Sequence, residues 1–126
     1  MVTRPEQPTP HQIKGEAAEQ LAAEILQQQQ GLRLLERNFS CKAGEIDLIM
    51  QDRQQLVFVE VRFRKNHLYG GAAASITPAK QLKIRRTAQF YMARLNHQPP
   101  CRFDVMAMTL DSKGHIICEN WIPNAF

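Results

Sequence analysis

The chain predicts an α/β or α+β domain, a sheet covered by helices, and three observations carry that expectation. An alanine-rich segment with helical periodicity comes first. Three strand-like stretches follow, between residues 32 and 63. A second helical pattern then separates them from a fourth strand and a short fifth. The length of 126 residues suits one compact domain with a single core.

Residues 1–12, MVTRPEQPTPHQ, are polar and contain three prolines, so they read as a flexible N-terminal arm ahead of a single domain at 13–126. They lack the apolar run of a signal peptide, and no later segment approaches a membrane span. The expectation is a cytoplasmic protein with no membrane partner. From Ile13 to about Gln29, Ala18, Leu21, Ala22 and Ile25 recur at helical spacing and form one apolar stripe. The four glutamines at 27–30 and Gly31 close that helix. Leu32 to Phe39 reads as a strand, and SCKAG after it as a turn.

GEIDLIM, 44–50, alternates as a second strand, with Glu45 and Asp47 on one face and Ile46 and Leu48 on the other. QDRQQ, 51–55, is a hairpin turn, and Leu56 to Phe63 is the third and strongest strand. The long loop RKNHLYGGAAAS follows, in which His67 and Tyr69 are weak candidates for touching a substrate. Thr77 and Pro78 make a helix start, a hydroxyl cap followed by proline at the first helical position. This helix is expected to reach about Asn96, with Ile84, Ala88, Tyr91 and Leu95 facing the core. RFDVMAMTL, 102–110, is the fourth strand, and HIICENWI supplies a short fifth at the edge.

Composition narrows the function classes. Apolar residues make up 44% and charged residues 22%, a globular profile. The formal charge of +4 is compatible with an acidic partner such as nucleic acid, though the bias is mild. Cys41, Cys101 and Cys118 are odd in number and far apart, which fits reduced thiols rather than a disulfide frame or a zinc site. There is no glycine-rich phosphate loop and no Ser-His-Asp order.

The residues that carry chemistry lie in LVFVEVRFR, 56–64. Glu60 and Arg62 are two apart on a strand and share a face, while Val57, Val59, Val61 and Phe63 face the other way. If strands two and three pair as a hairpin, Asp47 lies beside Glu60. Two carboxylates so placed repel unless something positive sits between them. A magnesium ion suits them, with its preference for hard oxygen ligands and its retained water. The plainer reading makes Asp47 and Glu60 ordinary residues of a half-exposed sheet, paired with Arg62.

Five blocks occur together and in order: KGEAAE at 14–19, GEIDLI at 44–49, VFVEVR at 57–62, TPAKQ at 77–81 and RFDV at 102–105. In these the chain resembles the YraN-like family, small bacterial proteins with a restriction-endonuclease-like fold related to Holliday-junction resolvases. The resemblance implies a mixed central sheet flanked by helices. It also implies that Asp47, Glu60 and the basic residue two positions on match the D…E-x-K signature of nucleases dependent on Mg2+ or Mn2+. The implied partner is nucleic acid, with DNA favoured over RNA, and cutting a junction requires two sites, hence a homodimer.

Three residues complicate the match. The family pattern points to Glu16 as a further metal ligand, whereas helical geometry prefers Glu19, which flanks the apolar stripe. Arg62 stands where the signature usually has lysine. Arginine stays protonated, so it can clamp a phosphate or steady the carboxylates but cannot act as a base. Lys80, with Gln81 beside it, is the candidate to take the lysine's part, because both straddle the sheet-facing side of the second helix. Lys83 and Arg86 point outward, toward nucleic acid or simply toward solvent. Asp104 is either a further ligand or an internal partner of Arg102. Two other readings follow from Arg62 and from the plainer view of the acids: a nucleic-acid-binding module without cleavage, and an interaction protein whose acidic residues only organise the sheet.

Overall fold

The computed structural model describes residues 10–65 and 71–126, with side chains in the first helix from Gly15 onward. His67, Tyr69 and residues 1–9 of the N-terminal arm lie outside the described residues. The order of elements is α1 (Pro10–Gln30), β1 (Arg33–Cys41), β2 (Gly44–Asp52), β3 (Gln55–Phe63), a short 3-10 turn (Ala73–Ser75), α2 (Pro78–Met92), β4 (Cys101–Leu110) and β5 (Ile116–Ile122). The five strands form one sheet in sequence order, β1-β2-β3-β4-β5. Among the described residues only β3 and β4 run parallel; the other three neighbouring pairs are antiparallel. The fold is α+β with a mixed sheet and a helix on each face.

Sequence dictates this arrangement. The parallel pair β3–β4 is covered on both sides, so LVFV and FDVMAM are near-continuous apolar runs. A parallel neighbour needs a crossover, and α2 supplies it. Along β3, Val57 and Val59 join Met106 and Met108 beneath α1, where Ala18, Ala22 and Leu26 pack. Phe58 and its neighbours face the other way, against Phe103, Val105 and the α2 residues Ile84, Ala88 and Tyr91.

Thr77 caps α2 through its hydroxyl, which accepts from the Lys80 amide at 3.2 Å, and Pro78 takes the first helical position. The helix ends at Met92, short of Asn96, and Leu95 is partly buried against the same core. Helix α1 begins at Pro10, three residues before the apolar periodicity does. It ends where Gly31 takes a left-handed φ of 70° and Leu32 N–H donates to the Leu26 carbonyl at 3.0 Å. Its buried stripe is rotated from the expected one. Ala23 and Leu26 are fully covered, while Leu21 and Ile25 are only partly buried.

One departure in the sheet matters for the site. Ile46 and Leu48 are two apart yet pack in opposite layers, Ile46 beneath α2 and Leu48 beneath α1. They therefore do not share a face as simple alternation requires. The β1–β2 ladder holds Arg37↔Leu48 and Phe39↔Ile46, and the facing residues Asn38 and Asp47 drop out between them. Asn38 takes a φ of 51°, a conformation that asparagine tolerates better than most side chains. The hairpin bends there, and the pairing of β2 with β3 stops at Leu48↔Val59. Asp47 stands at the bend.

Candidate functional site

Because β2 leaves β3 beyond Leu48, the Val61 amide has no strand carbonyl to meet in the regular ladder. The Asp47 side chain takes that place, its Oδ2 accepting from Val61 N–H at 2.8 Å. This seats a carboxyl between two strands, next to Glu60. On its other side Asp47 shares a hydrogen bond with Glu19 of α1. Three acidic residues from a helix and two strands thus meet where the sheet parts.

The electrostatics are unfavourable for so much negative charge. Burial pushes the Asp47 carboxyl up to about 8, and the charges of Glu60 and Glu19 add to that, while the Val61 amide pulls the other way. Glu19 is also raised, first by burial and further by Glu45, Glu16 and Glu60, although its bond with Asp47 opposes the shift. At neutral pH Asp47 therefore holds a proton and shares it with Glu19.

Glu60 is 9% exposed and lies on the α2 side of β3. Its Oε1 is 3.0 Å from Lys80 Nζ and 4.0 Å from Arg62 Nη1. Lys80 therefore comes from α2 onto the carboxylate that Arg62 also faces, and its side chain keeps 40% exposure. Arg62 is far more enclosed, at 13%. Its Nε donates to Ser75 Oγ at 3.2 Å, and Ser75 in turn donates to the Ala72 carbonyl. A guanidinium so pinned steadies Glu60; Lys80 is the more open of its two cations.

The remaining sequence candidates fall around this centre. Glu16 is exposed on α1, a turn before Glu19, close enough for its charge to act on Glu19. Gln81 turns back, donating from Nε2 to the Ile76 carbonyl at 3.1 Å, so its amide fastens the loop before α2. Lys83 and Arg86 are exposed. Asp104 belongs elsewhere. It is 0% exposed and accepts from Arg102 Nε at 3.0 Å, Trp121 Nε1 at 3.1 Å and Asn124 N–H at 2.9 Å. Its oxygens are spent on protein donors, which leaves no room for a metal.

Among the described residues, no three His, Cys, Asp or Glu side chains form a ready-made metal cage. Asp47 and Glu60 still offer hard oxygen donors of the kind magnesium takes in ones and twos, completing its shell with water and phosphate oxygens. The donor set fits such an ion and does not fit a closed structural site.

Fold and site together define a class: a small α+β domain that gathers carboxylates and a lysine where two antiparallel strands separate. The chain belongs to the uncharacterised protein family UPF0102, the YraN-like family, whose family model matches residues 18–108. That span takes in Glu19, Asp47, Glu60, Arg62 and Lys80. The chain is 58% identical over 113 residues to a UPF0102 protein of Nitrosomonas eutropha, covering 90% of this chain and 92% of the relative. A UPF0102 protein of Nitrosococcus oceani is 49% identical over 121 residues, covering 94% and 95%. Among solved structures, Pyrococcus furiosus SfsA in complex with Ca2+ aligns with 89% of this chain and 64% of that one, at 12% identity and a TM-score of 0.38. That likeness is too slight to argue from.

Proposed function

We propose that this protein binds nucleic acid and hydrolyses its phosphodiester bonds with Mg2+ or Mn2+, in the manner of restriction-endonuclease-like enzymes. The observation that carries the reading is the Asp47 carboxyl, set into the gap between β2 and β3 beside the Glu60–Lys80 pair. An acid kept neutral at such cost, with a second acid and an open lysine alongside, suits a divalent cation better than it suits packing.

An ion held by Asp47 and Glu60 would neutralise charge on the scissile phosphate and supply a water of lowered pKa. The chain's own residues do the rest. Asp47 would hold the ion as a carboxylate, its proton having passed to solvent water. Arg62, fixed by Ser75, holds Glu60 in place. Lys80 is the group placed to face the phosphate or orient the attacking water, the part that Arg62 cannot play as a base. The charges of Glu16 and Glu45, which act on Glu19, would favour a bound cation. Membrane spanning forms no part of this reading, since among the described residues no helix is long and apolar enough to cross a bilayer.

A second reading, binding without cleavage, is favoured by one observation: Glu60 is already neutralised by Lys80 at 3.0 Å. Labelled branched, single-stranded and duplex DNA, incubated with Mg2+ or Mn2+, decides between them. Cleavage by the wild type that falls about 100-fold or more in Asp47→Ala supports the nuclease. Binding with no cleavage in either metal supports the second reading and overturns the first.

A further inference from the structure

The protein's net charge of +4 comes from 16 basic and 12 acidic residues. Helix α2 holds Lys80, Lys83, Arg85 and Arg86 and no acidic residue. Taking those four from the 16 leaves 12 basic against 12 acidic, so the whole formal excess resides on one helix. That helix is also the one that delivers Lys80 to Glu60.

The charge is arranged, not scattered. Lys83, Arg86 and Phe90 fall at i, i+3 and i+7, which places them in one line along the helix, and all three are exposed. Phe90 is 42% exposed, one of three large apolar residues so open among the described residues. Lys42 reaches from the β1–β2 turn to within 5.4 Å of its ring centre. From Lys80 to Phe90 the helix advances about 15 Å, the length of a few nucleotides. A cationic line ending in an exposed aromatic ring, with Lys42 over one face, matches the pairing that binds unpaired strands, in which cations follow the phosphates and a ring receives a base.

We infer that the outer face of α2 is a docking track for single-stranded nucleic acid, with Lys83 and Arg86 on its phosphates and Phe90, flanked by Lys42, stacking on an unpaired base. The inference rests on the nucleic-acid reading above and names the form of the substrate. Duplex DNA can meet the cations but not the ring, because its base faces are covered by their neighbours. The strand would therefore run from Phe90 toward Lys80 and the acidic centre.

Fluorescence polarisation with the full chain in EDTA tests this without any cleavage, comparing an oligothymidylate of about 12 nucleotides with a duplex of the same length. Phe90→Ala is expected to weaken oligothymidylate binding about tenfold and leave duplex binding unchanged. Phe90→Trp is expected to restore it, with the new indole quenched on binding. Replacing Lys83 and Arg86 with glutamine should weaken both ligands and flatten the single-strand salt dependence by about 1.4 in log–log slope. All these side chains are exposed, and unchanged circular dichroism verifies the fold.

Oligothymidylate binding that is absent in the wild type, or equal in Phe90→Ala, overturns the track, and in the latter case Phe90 merely seats Lys42. Equal losses for both ligands in Phe90→Ala overturn it too. A chain that binds through Phe90 but never cuts sinks the nuclease alone, whereas cutting of single strands that ignores Phe90→Ala sinks the track alone.

Discussion

Asp104 on β4 and Asp47 on β2 are both acids set into sheet strands, and the donors around them differ. Asp104 is completely enclosed and receives three donors: the Arg102 guanidinium, the Trp121 indole and the Asn124 amide. Arg102 is itself shared with Asp52 at 2.9 Å and with Gln55. One guanidinium bridges two carboxylates there, and β4, β5 and the segment after β5 are tied together by Asp104. Asp47 receives a single backbone donor, and its other neighbours, Glu19 and Glu60, are acids. The contrast separates a carboxylate that holds a fold together from one that the proposed function assigns to a cation. Asp104 is fully buried and Asp47 half-buried, and their donors separate them further.

The largest effect expected from breaking this contrast is on the saturated side. Asp104→Ala takes from Arg102 its fully buried partner, leaving it Asp52 and Gln55, and leaves the indole and Asn124 amide without an acceptor, and it should cost about 3–5 kcal/mol in urea unfolding. The same measurement on Asp47→Asn should move in the opposite direction. An amide of the same shape can accept from Val61 and donate to Glu19, and it relieves the repulsion, so stability at pH 8 should rise by about 1–2 kcal/mol. A stabilising substitution that abolishes activity is the signature of a strained functional group.

The pH dependence sharpens the same point. Asp47 titrates near 8 in the fold against an ordinary value of 3.8, so between those limits the native state holds a proton that the unfolded chain has lost. Stability from this group is therefore greatest at low pH and declines as pH rises toward 8, by up to about 1.4 kcal/mol per unit. Unfolding curves collected from pH 5 to pH 8 should show that decline in the wild type and a flatter profile in Asp47→Asn. Mg2+ at the upper end of the range should recover part of the loss.

Much of the fold was legible in short-range pattern. Alternation marked β2 and β3, and Thr77-Pro78 marked the start of α2 to the residue. The angular count that put Lys80 on the sheet side of α2 rests on helix periodicity alone, and the same count could have flagged Phe90 seven residues after Lys83. What escaped was set by distant partners. Simple alternation joined Ile46 to Leu48, and only the bend opposite Asn38 separates them. Helix periodicity could not tell the Leu21–Ile25 edge from the Ala23–Leu26 edge, because the sheet decides which is covered. Asp104 could be read as a ligand until Trp121 and Asn124, 17 and 20 residues away, came to occupy its oxygens. Glu16 and Glu19 likewise separate only once β2 brings Asp47 to the second of them.

The most direct test of the difference between the two acids is a Mn2+ titration followed by paramagnetic broadening of backbone amide signals, which tolerates weak affinity. Broadening is expected to centre on Asp47, Glu60 and Val61, to spare Asp104 and Trp121, and to vanish in Asp47→Asn. Broadening that is absent, that centres on another part of the surface, or that persists unchanged in Asp47→Asn would contradict a cation site at the parting of β2 and β3.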